Sequence, residues 1–520
     1  MLSPFTMSRF SRLLAVWLSY TTVPVAVVCT TVPAVLLYAT VPVALAQGAV
    51  PSPTLEGPVT GGGGIHLLGT TTFDLADVGY VQAEYFMSGV ARAYTGAGPL
   101  SPDGTWTVTP GDSAPYKTRF IVYRPTKKRA FNGTVIVEWL NVSGGLDAAA
   151  DWIMMHTELI REGYVWVGVS AQIVGIEGGE PLLPGLPSLP VKVVDPARYG
   201  SLSHPGDGFS YDVFSQIGQA IREPAGASPL GDLKVERLLA VGESQSASRL
   251  TTYINAIHPV AGVYDGFLVH SRGGSAAPLA EYPQEEEAAP SPTFIRTDID
   301  TPVLTFQTET DLTLLGFASD RQPDSAFFRL WEVAGTAHAD TYTTAVGRAD
   351  LGRDPHIADL VITNRALDAA GTPGFESIDC PKPINSGFQH FVLKAAIAAL
   401  DRWVRSGKAP AQAPRIETTT NPVRIVRDEQ GNALGGLRTP QLDVPIAAYS
   451  GGGQAGSIFC IIFGTTTPFD AATLAALYPT HRDYVSAFKK ATRRAVRAGF
   501  IRKKDARLMT KAAAASIIGR

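Results

Sequence analysis

From residue 133 onward, short and nearly continuous apolar runs alternate with helical stretches. The first run, Gly133-Thr-Val-Ile-Val-Glu-Trp-Leu140, is rich in β-branched residues and predicts a strand that ends in a turn over Asn141-Val-Ser-Gly-Gly145. Further strands are predicted at 164–170, 237–241, 264–270, 302–307 and 328–333, with helices at about 148–162, 211–221, 247–258 and 388–405. Strands covered on both faces read as unbroken apolar runs, so this order predicts an α/β domain: a mostly parallel central sheet with helices on both faces. The loop region 172–208 is rich in Gly and Pro and carries Leu182, Leu183, Leu186 and Leu189. A lid over a site and a structural insertion both fit it. After Pro410 the pattern becomes polar and proline-containing, with a glycine triplet at 451–453 and a basic helical tail, so 411–520 is expected to be a C-terminal extension, a subdomain or a wrap.

Composition narrows the class. The chain has 520 residues, 45% hydrophobic and 18% charged, which is the make-up of a globular protein. Lys+Arg 44 against Asp+Glu 47 leaves −3, too little positive charge for a nucleic-acid partner. The balance is uneven: residues 482–520 hold twelve basic and two acidic side chains, leaving −13 on 1–481. That tail is expected to be the solvated face of a helix docked through Val485, Phe488 and Ala495. Three cysteines exclude a disulfide-stapled mini-fold or a Cys-rich metal module.

The N-terminus carries Arg9 and Arg12, then no charge from Leu13 to Ala46, ending Ala44-Leu45-Ala46 before Gln47. This is the pattern of an export signal, 1–46, with an A-x-A cleavage site. Its apolar part is long, so an uncleaved anchor, or a start at Met7, stays open beside cleavage. Residues 47–64 are expected to be a Gly/Pro linker and 65–410 the main domain. In an exported chain only Cys380 and Cys460 remain to pair, as a disulfide or as two buried thiols. The expected location is secreted, periplasmic or cell-envelope, with membrane contact only through an uncleaved N-terminal segment.

The chemistry concentrates at strand–Gly242-Glu243-Ser244-Gln245-Ser246–helix. A serine in a strained strand-to-helix turn exposes its Oγ at the C-terminal edge of a sheet, and small residues two before and two after it let the two backbones approach. Gly242 meets that need; Ser246 stands where a second glycine is usual. A hydroxyl needs a base. Of nine histidines, His338 follows a strand, lies downstream of the serine and is the expected base, with His390 at the start of a helix as the rival. The acid belongs just past the strand 302–307: Asp311, or alternatively Glu309. Backbone donors for an oxyanion are expected from the amide of Gln245 and from the loop of Asn141, Val142, Ser143, Gly144 and Gly145. This chemistry uses no cofactor, and no histidine or cysteine spacing argues for a metal. The string Ser486-Ala-Phe-Lys489 is read as chance, since no Lys-Thr-Gly accompanies it.

Several segments together resemble a bacterial family of large α/β-hydrolase-domain proteins: Glu138–Gly145, Gly242–Ser246, Tyr264–Arg272, Gln307–Asp311, Trp331–His338, and Leu400-Asp-Arg-Trp403 with Gly407. The resemblance spans most of 65–510 and implies an α/β-hydrolase fold with Ser244, Asp311 and His338 in matching places. The expectation is therefore an exported serine hydrolase acting on a small-molecule or polymeric carboxylic ester. A peptidase or acyltransferase using the same residues is one alternative. A secreted binding protein that kept the fold without catalysis is another.

Overall fold

Strand β4 (Thr134–Trp139) sits near the centre of a ten-stranded sheet in the computed structural model, which describes residues 50–182, 185–354 and 380–520. The N-terminal segment 1–46, Leu183 and His356 lie outside the described residues. In chain order the other strands of this sheet are β1 (Thr54–Glu56), β2 (Tyr80–Gly96), β3 (Val108–Pro125), β5 (Val165–Val169), β6 (Ala225–Gly226), β7 (Arg237–Glu243), β8 (Gly266–His270), β9 (Val303–Gln307) and β10 (Phe328–Glu332). Their spatial order is β10-β9-β8-β7-β4-β5-β3-β2-β1-β6. The run from β5 through β10 is parallel, whereas β3 pairs antiparallel with β5 and β2 antiparallel with β3. The chain steps from β4 outward to β5 and then returns to lay β7 on the other side of β4. Sheets of this kind open a crevice at such a reversal, beyond the strands' C-terminal ends. Residues 141–145 follow β4 there, and Ser244 follows β7.

The alternating sides of β4 explain the two layers. Val135, Val137 and Trp139 join one apolar cluster with Phe214 and Ile217 of helix α2 (Ser210–Arg222) and Ala247 and Leu250 of α3 (Gln245–Thr252). Ile136 joins the other, with Trp152 and Met155 of α1 (Ala150–Glu162) and Leu393 and Ile397 of α5 (Gln389–Ser406); α4 is the short helix Glu309–Thr313. That second cluster also takes Tyr484 and Phe488 of α6 (His481–Ala498) and Met509 and Ala512 of α7 (Lys503–Ala515). The basic tail is thus docked by one face while Arg482, Ser486, Lys489, Lys490, Arg493 and Arg497 stay exposed, so Ser486 and Lys489 lie on the solvated side while Phe488 between them is buried. Residues 47–520 cluster as one compact unit.

Two departures from the sequence pattern have physical causes. The long hairpin β2–β3 was hidden by strand breakers, since β3 carries Pro110, Gly111, Asp112 and Pro115. Outside the parallel core a proline costs less, and Pro115 pairs with Val90 in the hairpin's ladder beyond the reach of β5. The Gly/Pro segment 47–64 also contains β1, which pairs with both β2 and β6.

Behind residues 141–145, the buried Arg119 of β3 bonds Asp147 (2.7 Å) and Glu84 of β2 (2.9 Å) and also donates to the His66 carbonyl (2.6 Å). Buried charges persist only when paired in this way. A separate hairpin of β11 (Ala447–Ser450) and β12 (Thr465–Pro468) belongs to the C-terminal part. Cys380 and Cys460 form a disulfide across 80 residues of sequence. Closing a loop of that length removes entropy from the unfolded chain worth about 4 kcal/mol. Reduction is expected to lower Tm by about 4 °C in a chain of this size, read by thermal denaturation with and without a thiol reductant.

Candidate active site

The site starts from the bend after β7. Ser244 has φ 59° and ψ −117°, a backbone region that side-chain-bearing residues rarely occupy. Its N–H donates to the His270 carbonyl (2.9 Å), and its own carbonyl accepts from Ser248 N–H (3.1 Å) in the first turn of α3. A Cβ at Gly242 would lie 3.0 Å from the Ser246 carbonyl oxygen and 3.1 Å from Leu250 Cδ1, so strand and helix need glycine there. Ser246 is buried and fits the second close-approach position.

His338 follows β10 on a tight loop, and its N–H donates to Thr310 Oγ1 (3.2 Å). Its Nε2 lies 2.9 Å from Ser244 Oγ and its Nδ1 2.7 Å from Asp311 Oδ1. A carboxylate can only accept, so Nδ1 carries a proton and Nε2 faces the serine. Asp311 is held by a capping box: its Oδ2 accepts Thr308 N–H (2.6 Å) while Thr308 Oγ1 accepts Asp311 N–H (3.4 Å). One carboxylate oxygen therefore fixes the helix start and the other fixes the imidazole. The spacing Thr308-x-x-Asp311 is the sequence signal that separates Asp311 from Glu309.

The structure gives the two rival residues other partners. Glu309 Oε1 accepts from Gly335 N–H (2.7 Å), and Oε2 accepts from Arg427 Nη2 (2.7 Å) and Gly451 N–H (3.1 Å). It ties the loop before His338 to the C-terminal part. Gly451 belongs to the glycine triplet, and a Cβ on it would come within 2.5 Å of Thr310 N, so the triplet serves the close approach of backbone to α4. His390 is buried, stacked 3.7 Å from the Tyr342 ring, and makes no hydrogen bond to Ser244. Burial, together with Lys394 and His156, pushes its pKa well below the ordinary histidine value.

The loop 141–145 divides into committed and free amides. Asn141 N–H donates to the Ala148 carbonyl (2.9 Å), Ser143 N–H to Asn141 Oδ1 (2.8 Å) and Gly145 N–H to the Val142 carbonyl (3.0 Å). These three are spent on shaping the loop and cannot also serve an oxyanion. Among the described residues the amides of Val142, Gly144 and Gln245 carry no hydrogen bond. The insertion 172–208 rests directly on this loop: Leu189 N–H donates to the Gly145 carbonyl (2.8 Å), and Leu186 lies beside Gly144. Gln245 Nε2 donates to Gln172 Oε1 (3.0 Å), which also accepts from Trp139 Nε1 (3.0 Å).

Two features escaped the sequence pattern. Glu243, the variable residue of the Gly-x-Ser turn, puts Oε1 3.2 Å from His338 Nε2. Burial pushes the Glu243 carboxyl up, opposed by His338 and His270. Burial alone would lower His338, but the charge of Glu243 and the hydrogen bond and charge of Asp311 outweigh it and push it up to about 9. Beneath the bend lies a second, wholly buried pair: His270 Nδ1 with Asp151 Oδ1 (2.9 Å), while Gln389 Nε2 donates to His270 Nε2 (3.1 Å). Burial pushes His270 down to about 4 and Asp151 up to about 8. Asp151 also donates its N–H to Glu138 Oε1 (2.9 Å), so this network braces the floor on which Ser244 stands.

Sheet order, strained bend and the histidine beside it define an α/β hydrolase. A family profile described as an alpha/beta hydrolase domain matches residues 55–511, and the chain belongs to that family. No curated protein matches it in sequence. Similar solved structures include an esterase from Rhizomucor miehei (13% identity, 52% of this chain and 85% of that one, TM-score 0.26). Another is an α/β serine hydrolase without lid from Xanthomonas campestris (14%, 48% and 85%, TM-score 0.24). A third is a glucuronoyl esterase from Solibacter usitatus (10%, 50% and 68%, TM-score 0.25).

Proposed function

We propose that this α/β hydrolase is an exported serine carboxylesterase in which Ser244 is the nucleophile, His338 the general base and then acid, and Asp311 the group that orients His338. The observation that carries the reading is the unbroken hydrogen-bonded line Oγ–Nε2, Nδ1–Oδ1 at 2.9 and 2.7 Å, starting from a serine at φ 59°. Ser244 Oγ attacks the ester carbonyl carbon as its proton passes to Nε2, and the carbonyl π pair moves onto oxygen. The amide of Gln245, with that of Val142 or Gly144, stabilises the oxyanion. Nε2–H then protonates the departing alkoxide, and water repeats the sequence to release the acid. The Cys380–Cys460 disulfide supports an oxidising destination, as the N-terminal pattern does.

The test compares p-nitrophenyl esters of several chain lengths with matching p-nitroanilides, with and without an added alcohol acceptor. Ester hydrolysis dominating in all arms is expected; dominant anilide cleavage or ester-to-alcohol transfer would reassign the same residues, and no turnover of any acyl substrate would remove the enzymatic reading. The pH profile carries a sign of its own. Imidazolium cannot accept the Ser244 proton, so kcat/KM is expected to rise with pH and to level off only as His338 loses its proton, near pH 9. An acid limb centred at the ordinary histidine value would contradict the environment described for His338.

A further inference from the structure

His338 Nε2 faces two oxygens. Ser244 Oγ is 2.9 Å away and Glu243 Oε1 3.2 Å. The other Glu243 oxygen accepts from Asn141 Nδ2 (3.2 Å), which also donates to the Glu243 backbone carbonyl (3.1 Å), while Asn141 Oδ1 accepts Ser143 N–H (2.8 Å). One carboxylate therefore touches the nitrogen that receives the serine proton and, through a single side-chain amide, the loop beside the free Val142 and Gly144 amides. A neutral imidazole presents a lone pair at Nε2, and so does an ionised carboxylate; that contact is attractive when Nε2 carries a proton.

We propose that Glu243 is a positioning residue for this reaction: it accepts a hydrogen bond from Nε2–H of the His338 imidazolium, holding that proton between Ser244 Oγ and the leaving-group oxygen, and through Asn141 it keeps the base in register with the oxyanion donors. The inference rests on Ser244, His338 and Asp311 acting as proposed above. The proton balance is simple. It leaves Oγ for Nε2 as the Oγ–C bond forms, and leaves Nε2 for the alkoxide as the C–O bond breaks. Glu243 neither gains nor loses a proton.

The arrangement has a cost at low pH. Two carboxylates flank one imidazole, Asp311 from α4 on Nδ1 and Glu243 from β7 on Nε2. The remaining groups that face them are the buried His270 of β8 and Asp151 of α1, while Asp340 is turned to the Thr343 N–H (2.9 Å). Both flanking charges favour the imidazolium, the form that cannot take the serine proton. Removing one of them must ease deprotonation of His338, and a structural role alone would not shift that titration.

The test is the pH dependence of kcat/KM for a p-nitrophenyl ester in wild type, Glu243→Gln, Glu243→Met and Glu243→Asp. The two charge-removing variants are expected to move the acid limb down by about one pH unit or more, a tenfold relative gain below the limb, whereas Glu243→Asp keeps the charge and stays within about 0.3 unit. An acid limb unmoved in whichever charge-removing variant folds, judged by circular dichroism and Tm, overturns the proposal. Failure of both to fold also overturns it, because the charge would then serve the fold rather than the proton. Covalent labelling by a fluorophosphonate, run in parallel, separates the two levels. Labelling that persists in Ser244→Ala defeats the triad itself, while labelling confined to Ser244 with an unmoved limb defeats Glu243 alone.

Discussion

Ser244→Ala is expected to lower kcat by about 10⁶-fold, equivalent to about 8 kcal/mol of transition-state stabilisation, and to abolish covalent labelling by a fluorophosphonate. The size follows from the geometry. The Ser244 hydroxyl stands 2.9 Å from His338 Nε2 at the tip of a strained bend, so its loss removes the bond-forming atom and the proton that the base takes. Some turnover above the uncatalysed rate should survive, because the oxyanion donors and substrate binding are untouched. The fold should survive too: alanine makes the same φ 59° bend, and the helix that follows is not capped by the serine side chain. Unaltered labelling at another residue would show that the nucleophile lies elsewhere.

Asp311→Asn is expected to cost about 10⁴-fold in kcat, about 5 kcal/mol, with little change in KM. The capping box decides why. Thr308 N–H, 2.6 Å from the present Oδ2, needs an acceptor, so the asparagine must turn its oxygen there and its NH₂ toward His338 Nδ1. Nδ1 must then accept, the ring proton moves to Nε2, and the nitrogen facing Ser244 can no longer take a proton. The companion substitution Glu309→Gln discriminates between the two carboxylates. Its one amide oxygen can keep the Gly335 N–H, but its NH₂ then faces the Arg427 guanidinium and the Gly451 N–H, so it should lower stability by about 2 kcal/mol and Tm by about 2 °C, while kcat falls less than about tenfold. The reverse ranking in kcat would exchange the roles of the two acids.

How much of this was readable depends on distance along the chain. The bend at 242–246 is local: strand, small residue, serine, small residue and helix follow within one segment, and steric need ties those residue types to that geometry. The choice between Glu309 and Asp311 was ambiguous by position alone. They stand two apart on one short helix, about 200° around its axis, so they point to opposite sides; the Thr308 cap indicates which side meets His338. The hairpin β2–β3 was masked because its prolines and glycines, breakers in a central strand, are tolerated at the antiparallel flank. Glu243 gave no signal of its own, since any residue can occupy that place in the turn. The free and spent amides of 141–145 were equally unreadable, because they depend on Ala148 and the Asn141 side chain.

By itself the amino-acid order determined the layered α/β architecture, the bend that carries Ser244 and the downstream placement of a base, because each follows from periodicity, sterics or chain order over a few residues. Tertiary structure alone decided that a second carboxylate, Glu243, touches the Nε2 of His338 and that Cys380 reaches Cys460. Those are contacts between residues 95 and 80 positions apart in the chain, set by the sheet order and by how the C-terminal part packs, and no local pattern encodes a meeting at that range.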